Sequence, residues 1–356
     1  SNFYNNCKCL TKHLHYYSIV LYKGVIIRRM NFCSELNNVL TFFPDKIRSC
    51  CVLGNIGPVY FENYNGNIKT FDFETLKAKK KYFFECIKNY DFQNIPCSNC
   101  MYMKNEENAE FTEQFELIYL NSWTHCNCGC FYCDRLSYTK GEITKHKQKS
   151  KYYDLLPIIK GLYKHNLLNK EKLRVVFHGG DLSVLKEFEP LVKTFIKNGV
   201  NRIDFASNNI IFQPIIKKLL KEGKASLNMA LDCGCRETYK KIKRVDKFND
   251  VVKNLKKYVK AANSDNPEIN VKYIILKHIN DNEEEIRAFI NLMKEIGITR
   301  VSLHIEHKYA VELFEGKTPL PTTYKSLIKL FFKLCDENKL FFDTPDDVMN
   351  YIITQQ

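Results

Sequence analysis

From residue 115 onward, short apolar runs alternate with amphipathic stretches, and this rhythm constrains the fold more than any other feature of the sequence. The β-like runs fall at 115–121, 173–178, 202–207, 226–231, 269–276 and 300–305. Helical periodicity occupies 152–168, 185–198, 213–222, 248–262 and 283–296. Serial βα units imply an α/β fold with a parallel sheet and right-handed crossovers. In such sheets ligands bind at the carboxyl ends of the strands. The segments that follow each β-like run are therefore the places to look for chemistry.

The first run leads into Cys126-Asn127-Cys128-Gly129-Cys130-Phe131-Tyr132-Cys133. Taken as Cys126, Cys130 and Cys133, the spacing is C-x-x-x-C-x-x-C. Three thiolates on one short loop suit three irons of a cubane cluster and leave the fourth iron open to a ligand. A zinc knot is the competing reading, but zinc prefers paired C-x2-C clips closed by a fourth ligand. After the second run comes His178-Gly179-Gly180-Asp181, and after the third Ser207-Asn208-Asn209. The fourth is followed by Asp232-Cys233-Gly234-Cys235 and then by Lys243-Arg244. The fifth ends in Ile279-Asn280-Asp281-Asn282, where Asn280 or Asp281 is a natural helix N-cap.

The loop spacing, with the aromatic Tyr132 before its last cysteine, resembles the radical S-adenosylmethionine (SAM) enzymes. The order of the later segments resembles them too, over roughly residues 115–306. That resemblance implies a partial (β/α)6 TIM-type barrel and a [4Fe–4S] cluster on Cys126, Cys130 and Cys133. It further implies SAM held by Gly179, Gly180 and Asp181 at its ammonium and by Ser207 and Asn209 near its ribose. Lys243 or Arg244 would meet its carboxylate, Arg244 having the better fork. Tyr132 is expected among the cofactor contacts. The implied chemistry is one-electron cleavage of SAM to methionine and a 5′-deoxyadenosyl radical that takes hydrogen from a substrate. An electron donor such as flavodoxin or ferredoxin is implied as partner.

Upstream, residues 1–110 are expected to form a small Cys-rich α+β domain, followed by the barrel at 111–310 and C-terminal helices at 311–356. Residues 39–52 read as a hairpin turning at Pro44-Asp45, and 74–90 as a helix with Phe83, Cys86 and Ile87 on one face. Cys33, Cys50 or Cys51, Cys97 and Cys100 form a plausible four-thiolate site for zinc or a second [4Fe–4S] cluster. These cysteines are similar to SPASM or twitch auxiliary-cluster domains, although those usually follow the barrel. That likeness points to a peptide or protein substrate.

Composition decides two further points. Fifteen cysteines in a 356-residue chain without a visible signal peptide point to metal binding in reducing cytoplasm rather than to disulfides. No apolar run is long enough to span a bilayer, so no membrane partner is expected. The net charge of +14 comes mainly from lysine. It fits a solvated surface, an anionic substrate such as a phosphorylated sugar, nucleotide or glycan, or a zinc-bound basic module that binds nucleic acid. The runs Lys77-Ala78-Lys79-Lys80-Lys81 and Lys145-His146-Lys147-Gln148-Lys149 are its densest points.

Overall fold

The computed structural model describes residues 19–22, 25–50, 58–64, 66–89, 97, 104–107, 110–133, 152–262, 268–306, 309 and 321–343. Cys51, Cys100, the basic run 145–149 and, of the C-terminal helices expected at 311–356, residues 311–320 and 344–356 lie outside them.

The chain opens with β1 (Ile19–Tyr22) and β2 (Val25–Phe32), followed by the short helix α1 (Ser34–Asn38) and β3 (Val39–Phe42). Next come β4 (Ile47–Arg48), β5 (Val59–Phe61), α2 (Phe73–Lys88) and β6 (Lys104–Glu107). β1, β2 and β6 form an antiparallel three-stranded sheet. β3 and β4 form the hairpin expected around Pro44-Asp45, with Phe42 opposite Ile47. β3 then runs parallel to β7 (Leu117–Leu120), pairing Val39 with Leu117 and Phe42 with Leu120. The main sheet therefore crosses the boundary expected near residue 110.

From β7 the expected units follow in order: α3 (Leu156–Lys164), β8 (Arg174–Phe177), α4 (Phe188–Lys197), β9 (Arg202–Ala206), α5 (Pro214–Lys221) and β10 (Ala225–Ala230). They continue through α6 (Arg236–Lys243), α7 (Phe248–Val259), β11 (Ile269–Ile275), α8 (Glu283–Ile296), β12 (Arg300–Ile305), α9 (Thr322–Glu337) and β13 (Phe341–Asp343). Among the described residues the sheet has ten strands in the order β13-β12-β11-β10-β9-β8-β7-β3-β4-β5. It is open, with β13 and β5 at its edges. Strands β7 to β12 are neighbours in sequence order and all parallel. This is the partial barrel, extended by β13 on one side and by the β3–β5 hairpin strands on the other.

Alternation along the strands separates two faces. Val175, Phe177, Ile203, Phe205, Leu227, Val271, Tyr273, Ile275, Val301 and Leu303 are buried beneath the helices. The opposite positions include Asp204, Ala206, Asn228, Ala230, Asn270, Lys272, Ser302 and His304. A closed barrel fills its interior with branched apolar side chains. Here the interior is polar, so the inner face lines a cavity. Among the described residues, no helix is long and apolar enough to cross a membrane.

Candidate active site

Four segments that follow strands meet at one end of the sheet. The cysteine loop after β7 is fixed by main chain at several points. Gly129 N–H donates to Lys243 O at 3.0 Å and Phe131 N–H to Ile242 O at 3.2 Å, tying the loop to the last turn of α6. On its other side, Gly180 N–H donates to Trp123 O at 3.0 Å and Asp181 N–H to His125 O at 2.9 Å. A Cβ on Gly180 would stand 1.9 Å from His125 O, so only glycine permits this backbone contact. The Trp123 indole, 1% exposed, completes the join by donating to Asp181 O at 3.2 Å.

The resulting cavity, about 440 Å3, is lined by Cys126, Cys128, Cys130, Tyr132 and Cys133 at one end. Gly179, Gly180, Asp181, Ser207 and Asn208 form its side, and Asp204, Asn228 and Lys272 lie along its inner wall. The volume lies within the range of small-molecule sites, about 300–1,000 Å3. The Cys128 thiol is shared between Cys126 and Cys130. Its hydrogen bonds are the chief cause that holds Cys126 below the usual thiol range and brings Cys130 to about 7. The same bonds push Cys128 far up. Cys126 Sγ also accepts from the Asn208 side chain at 3.6 Å and from Cys128 N–H at 3.4 Å. Among the described residues, no group of three or more Cys, His, Asp or Glu closes around a single metal ion. A cubane takes one thiolate per iron, so its ligands stand around a volume rather than at a point. The thiol donor set on the cavity wall fits that group.

Asp181 is 2% exposed and is held entirely by neutral donors. Its carboxylate accepts from Ser183 N–H at 2.9 Å, Ser207 Oγ at 3.0 Å and Asn208 N–H at 2.7 Å, and also from Ser183 Oγ. It also caps the short turn Leu182–Val184. Asn209 takes a course other than the one expected. It adopts φ 59° and donates to Met229 Sδ at 3.2 Å, while its carbonyl accepts from Asn254 at 3.0 Å. Asn208 faces the cavity in its place.

Lys243 also has partners other than those expected. Its side chain is 4% exposed, and its ammonium lies 2.5 Å from Asp232 Oδ2 and 2.7 Å from Tyr132 OH. Burial alone would lower it; Asp232, then Tyr132 and Cys130, outweigh burial and hold it well above the lysine range. Tyr132 donates to Asp232 Oδ2 at 2.6 Å, and burial first, then Asp232, keeps its phenol protonated. Asp232, fully buried with φ 67°, accepts from Ile274 N–H at 3.0 Å through its second oxygen. Arg244 forms the left-handed end of α6, with its Cβ placed 3.6 Å from where a Gly129 Cβ would lie. It is not among the residues that line the cavity.

Two residues carry more than their sequence reading gave them. Asn280 is not the cap of α8; Asn282 is, accepting from Glu285 N–H at 3.0 Å. The Asn280 amide instead donates to Asp232 O at 2.7 Å and Ile274 O at 2.8 Å and accepts from Leu276 N–H at 2.7 Å. Cys233, buried, donates to Leu231 O at 3.3 Å. A Cβ on Gly234 would meet the α8 backbone at Ala288 within 2.2 Å, which makes this segment a packing turn. Upstream, Cys50 and Cys97 are buried and Cys33 is half-buried against the core.

Residues 120–293 match the radical SAM superfamily model. Among curated proteins, the chain is 29% identical over 176 residues to a GTP 3′,8-cyclase of Clostridium botulinum, covering 49% of this chain and 51% of that one. It is 25% identical over 187 residues to the molybdenum cofactor biosynthesis protein moc-5 of Caenorhabditis elegans, covering 52% and 29%. The chain thus spans about half the length, or less, of these relatives. Among solved structures, SuiB of Streptococcus suis bound to the precursor peptide SuiA covers 79% of this chain and 65% of its own, with 13% identity and a TM-score of 0.47. The cysteine loop and the Gly-Gly-Asp turn both lie inside the matched segment, so this chain carries a radical SAM domain over residues 120–293.

Proposed function

We propose that this chain holds a [4Fe–4S] cluster on Cys126, Cys130 and Cys133 and carries out reductive SAM cleavage to start radical chemistry on a small polar substrate. One observation supports the assignment above all. The three thiols share a cavity with the Gly-Gly-Asp turn at the carboxyl ends of parallel strands. When bound, the cluster and SAM supply one-electron reduction of a sulfonium and homolysis of a carbon–sulfur bond. The chain positions and shields them. Asp181 offers the SAM ammonium a carboxylate not neutralised by any cation described here. Gly179 and Gly180 bring main chain close, and Ser207 and Asn208 offer small polar groups to the ribose. Asn208 donates to the Cys126 sulfur, and such bonds help set cluster potentials. Electrons would come from a flavodoxin- or ferredoxin-type donor.

A small-molecule substrate is favoured over the peptide implied by the N-terminal cysteines, because the inner barrel wall places Asp204, Asn228 and Lys272 in a cavity of small-molecule size. The names of the curated relatives, a GTP 3′,8-cyclase and a molybdenum cofactor biosynthesis protein, support a small-molecule substrate as well. A second metal site on Cys33, Cys50 or Cys51, Cys97 and Cys100 stands as a proposal from sequence. Cys97→Ala should lower iron or zinc content, and an unchanged content of both removes it.

The primary test is anaerobic purification, iron and sulfide assay, and dithionite-driven SAM cleavage. Wild type should be brown and active. Cys126→Ala, Cys130→Ala and Cys133→Ala should each abolish cleavage, while Cys128→Ala retains it. A colourless, zinc-loaded protein that cannot take up iron would sink the reading.

A further inference from the structure

The charged side chains on the cavity wall can be taken one at a time. Asp204 is buried and bound by Arg174, by Arg202 at 3.2 Å and by Ser226. Lys243 is paired with Asp232. Asp181 is satisfied by four neutral donors at the end nearest the thiols. Lys272 is different. It lines the same cavity, and among the described residues no carboxylate lies within ion-pair distance of it. Its position is deep in the sheet. In register, Lys272 sits between Ala230 of β10 and Ser302 of β12, four residues before the end of the β11 run at Leu276. Ala230 leaves room beside it. The Ser302 hydroxyl accepts from Asn270 at 3.1 Å and is fully buried, outside the cavity lining. Asn228, on the same wall, turns its oxygen to Asn270 at 3.3 Å and leaves its NH2 as a donor.

We infer that Lys272, with Asn228, anchors a phosphate group of the substrate. This rests on the function proposed above and deepens it by naming the substrate class, a phosphorylated small molecule. The two groups offer an ammonium and an amide N–H to the cavity, donors suited to an oxyanion. Lysine binds phosphate as a point charge and needs no fork geometry. The strand-end acceptor Asp181 and the interior donor Lys272 give the cavity a negative end and a positive floor. That polarity orients a molecule whose anionic group goes in first. The inner wall thereby determines specificity, while the thiol end determines chemistry.

The test uses cluster-reconstituted full chain, with binding measured anaerobically by calorimetry. The probes are GTP, inorganic pyrophosphate and, as uncharged control, guanosine; SAM is titrated in parallel. Wild type should bind both phosphate probes and bind guanosine far more weakly. Lys272→Ala should weaken both phosphate probes by about ten- to a hundredfold. Lys272→Arg should restore them, and SAM affinity should hold within about twofold in both variants. Wild type that binds neither phosphate probe, or binds guanosine equally well, overturns the inference. So does a Lys272→Ala variant with unchanged phosphate binding, or one that loses SAM affinity instead, which would make Lys272 a SAM carboxylate contact. Iron content and SAM binding of the wild type fail separately. If they are absent, the proposed function falls, and the pyrophosphate titration still reads the anchor.

Discussion

Among the described residues two lysines are buried, in two regions that treat a buried charge differently. Lys243, beneath the cysteine loop, is paired with a carboxylate and a phenol and is held in its charged form. Lys80, on α2 against the start of β7, is 1% exposed and, among the described residues, has no carboxylate at hydrogen-bond distance. Its ammonium donates to Gln114 O at 2.8 Å and lies over the Phe115 ring, 4.1 Å from its centroid. Burial brings its pKa down to about 7, against the opposing pull of Glu116 and Glu113. A carbonyl and an aromatic face compensate a charge only partly; an ionised partner does so in full. The Lys80 region is packing that tolerates a cation. The Lys243 region is an ionic brace joining the cysteine loop, the β10 end, α6 and, through Asn280, the turn before α8.

The strongest way to break this contrast is Lys243→Ala. It leaves Asp232 buried and unpaired and should cost about 3–5 kcal/mol in anaerobic urea titration, with much of that recovered in Lys243→Met/Asp232→Asn. A loss no larger than that of Lys80→Ala would erase the distinction. Lys80→Ala should cost less, about 2–3 kcal/mol, from the space left under Phe115. Tyr132→Phe removes one donor from Asp232 and should cost about 1–2 kcal/mol, accompanied by altered SAM affinity.

The smallest effect is the most diagnostic. Lys80→Met should change stability by only about 1 kcal/mol near neutrality, but it should change the pH profile. The folded Lys80 releases its proton near 7 and the unfolded chain near 10.5, so between those values the unfolded state binds more protons. Wild-type stability should therefore gain on Lys80→Met as pH rises from about 7 to 9. Parallel profiles for the two proteins would show that Lys80 stays charged in the fold.

Much of this architecture was legible in the sequence, because long apolar periodicity is a local signal. The six strands β7–β12 and the helices α3, α4, α5, α7 and α8 fall where the rhythm put them; α8 and β12 match to the residue. α6 was not visible: its eight residues are mostly charged, and their helicity follows from docking Thr238, Tyr239 and Ile242 into the core. β13 is three residues long and pairs only through β12. The parallel pairing of β3 with β7 joins segments 78 positions apart in register, which no local pattern encodes. Lys80 was within reach. It sits in a lysine run that reads as solvated, yet Leu76, Lys80, Phe83 and Ile87 share one helical face. The partners of Lys243 were not, since a basic residue after a strand looks the same whether it meets a ligand or a buried aspartate.

The way the cysteine loop is hung has a consequence for anyone altering this enzyme. Its ties at Gly129, Phe131, Gly180 and Asp181 are main-chain to main-chain. The path of the loop is therefore largely indifferent to which side chains it carries. Asn127 and Phe131 can be exchanged to change the surroundings of the thiols while the loop keeps its span. The intolerant point lies in the turn after another strand, β8: one added methyl at Gly180 would push His125 aside and move the thiols without touching any of them.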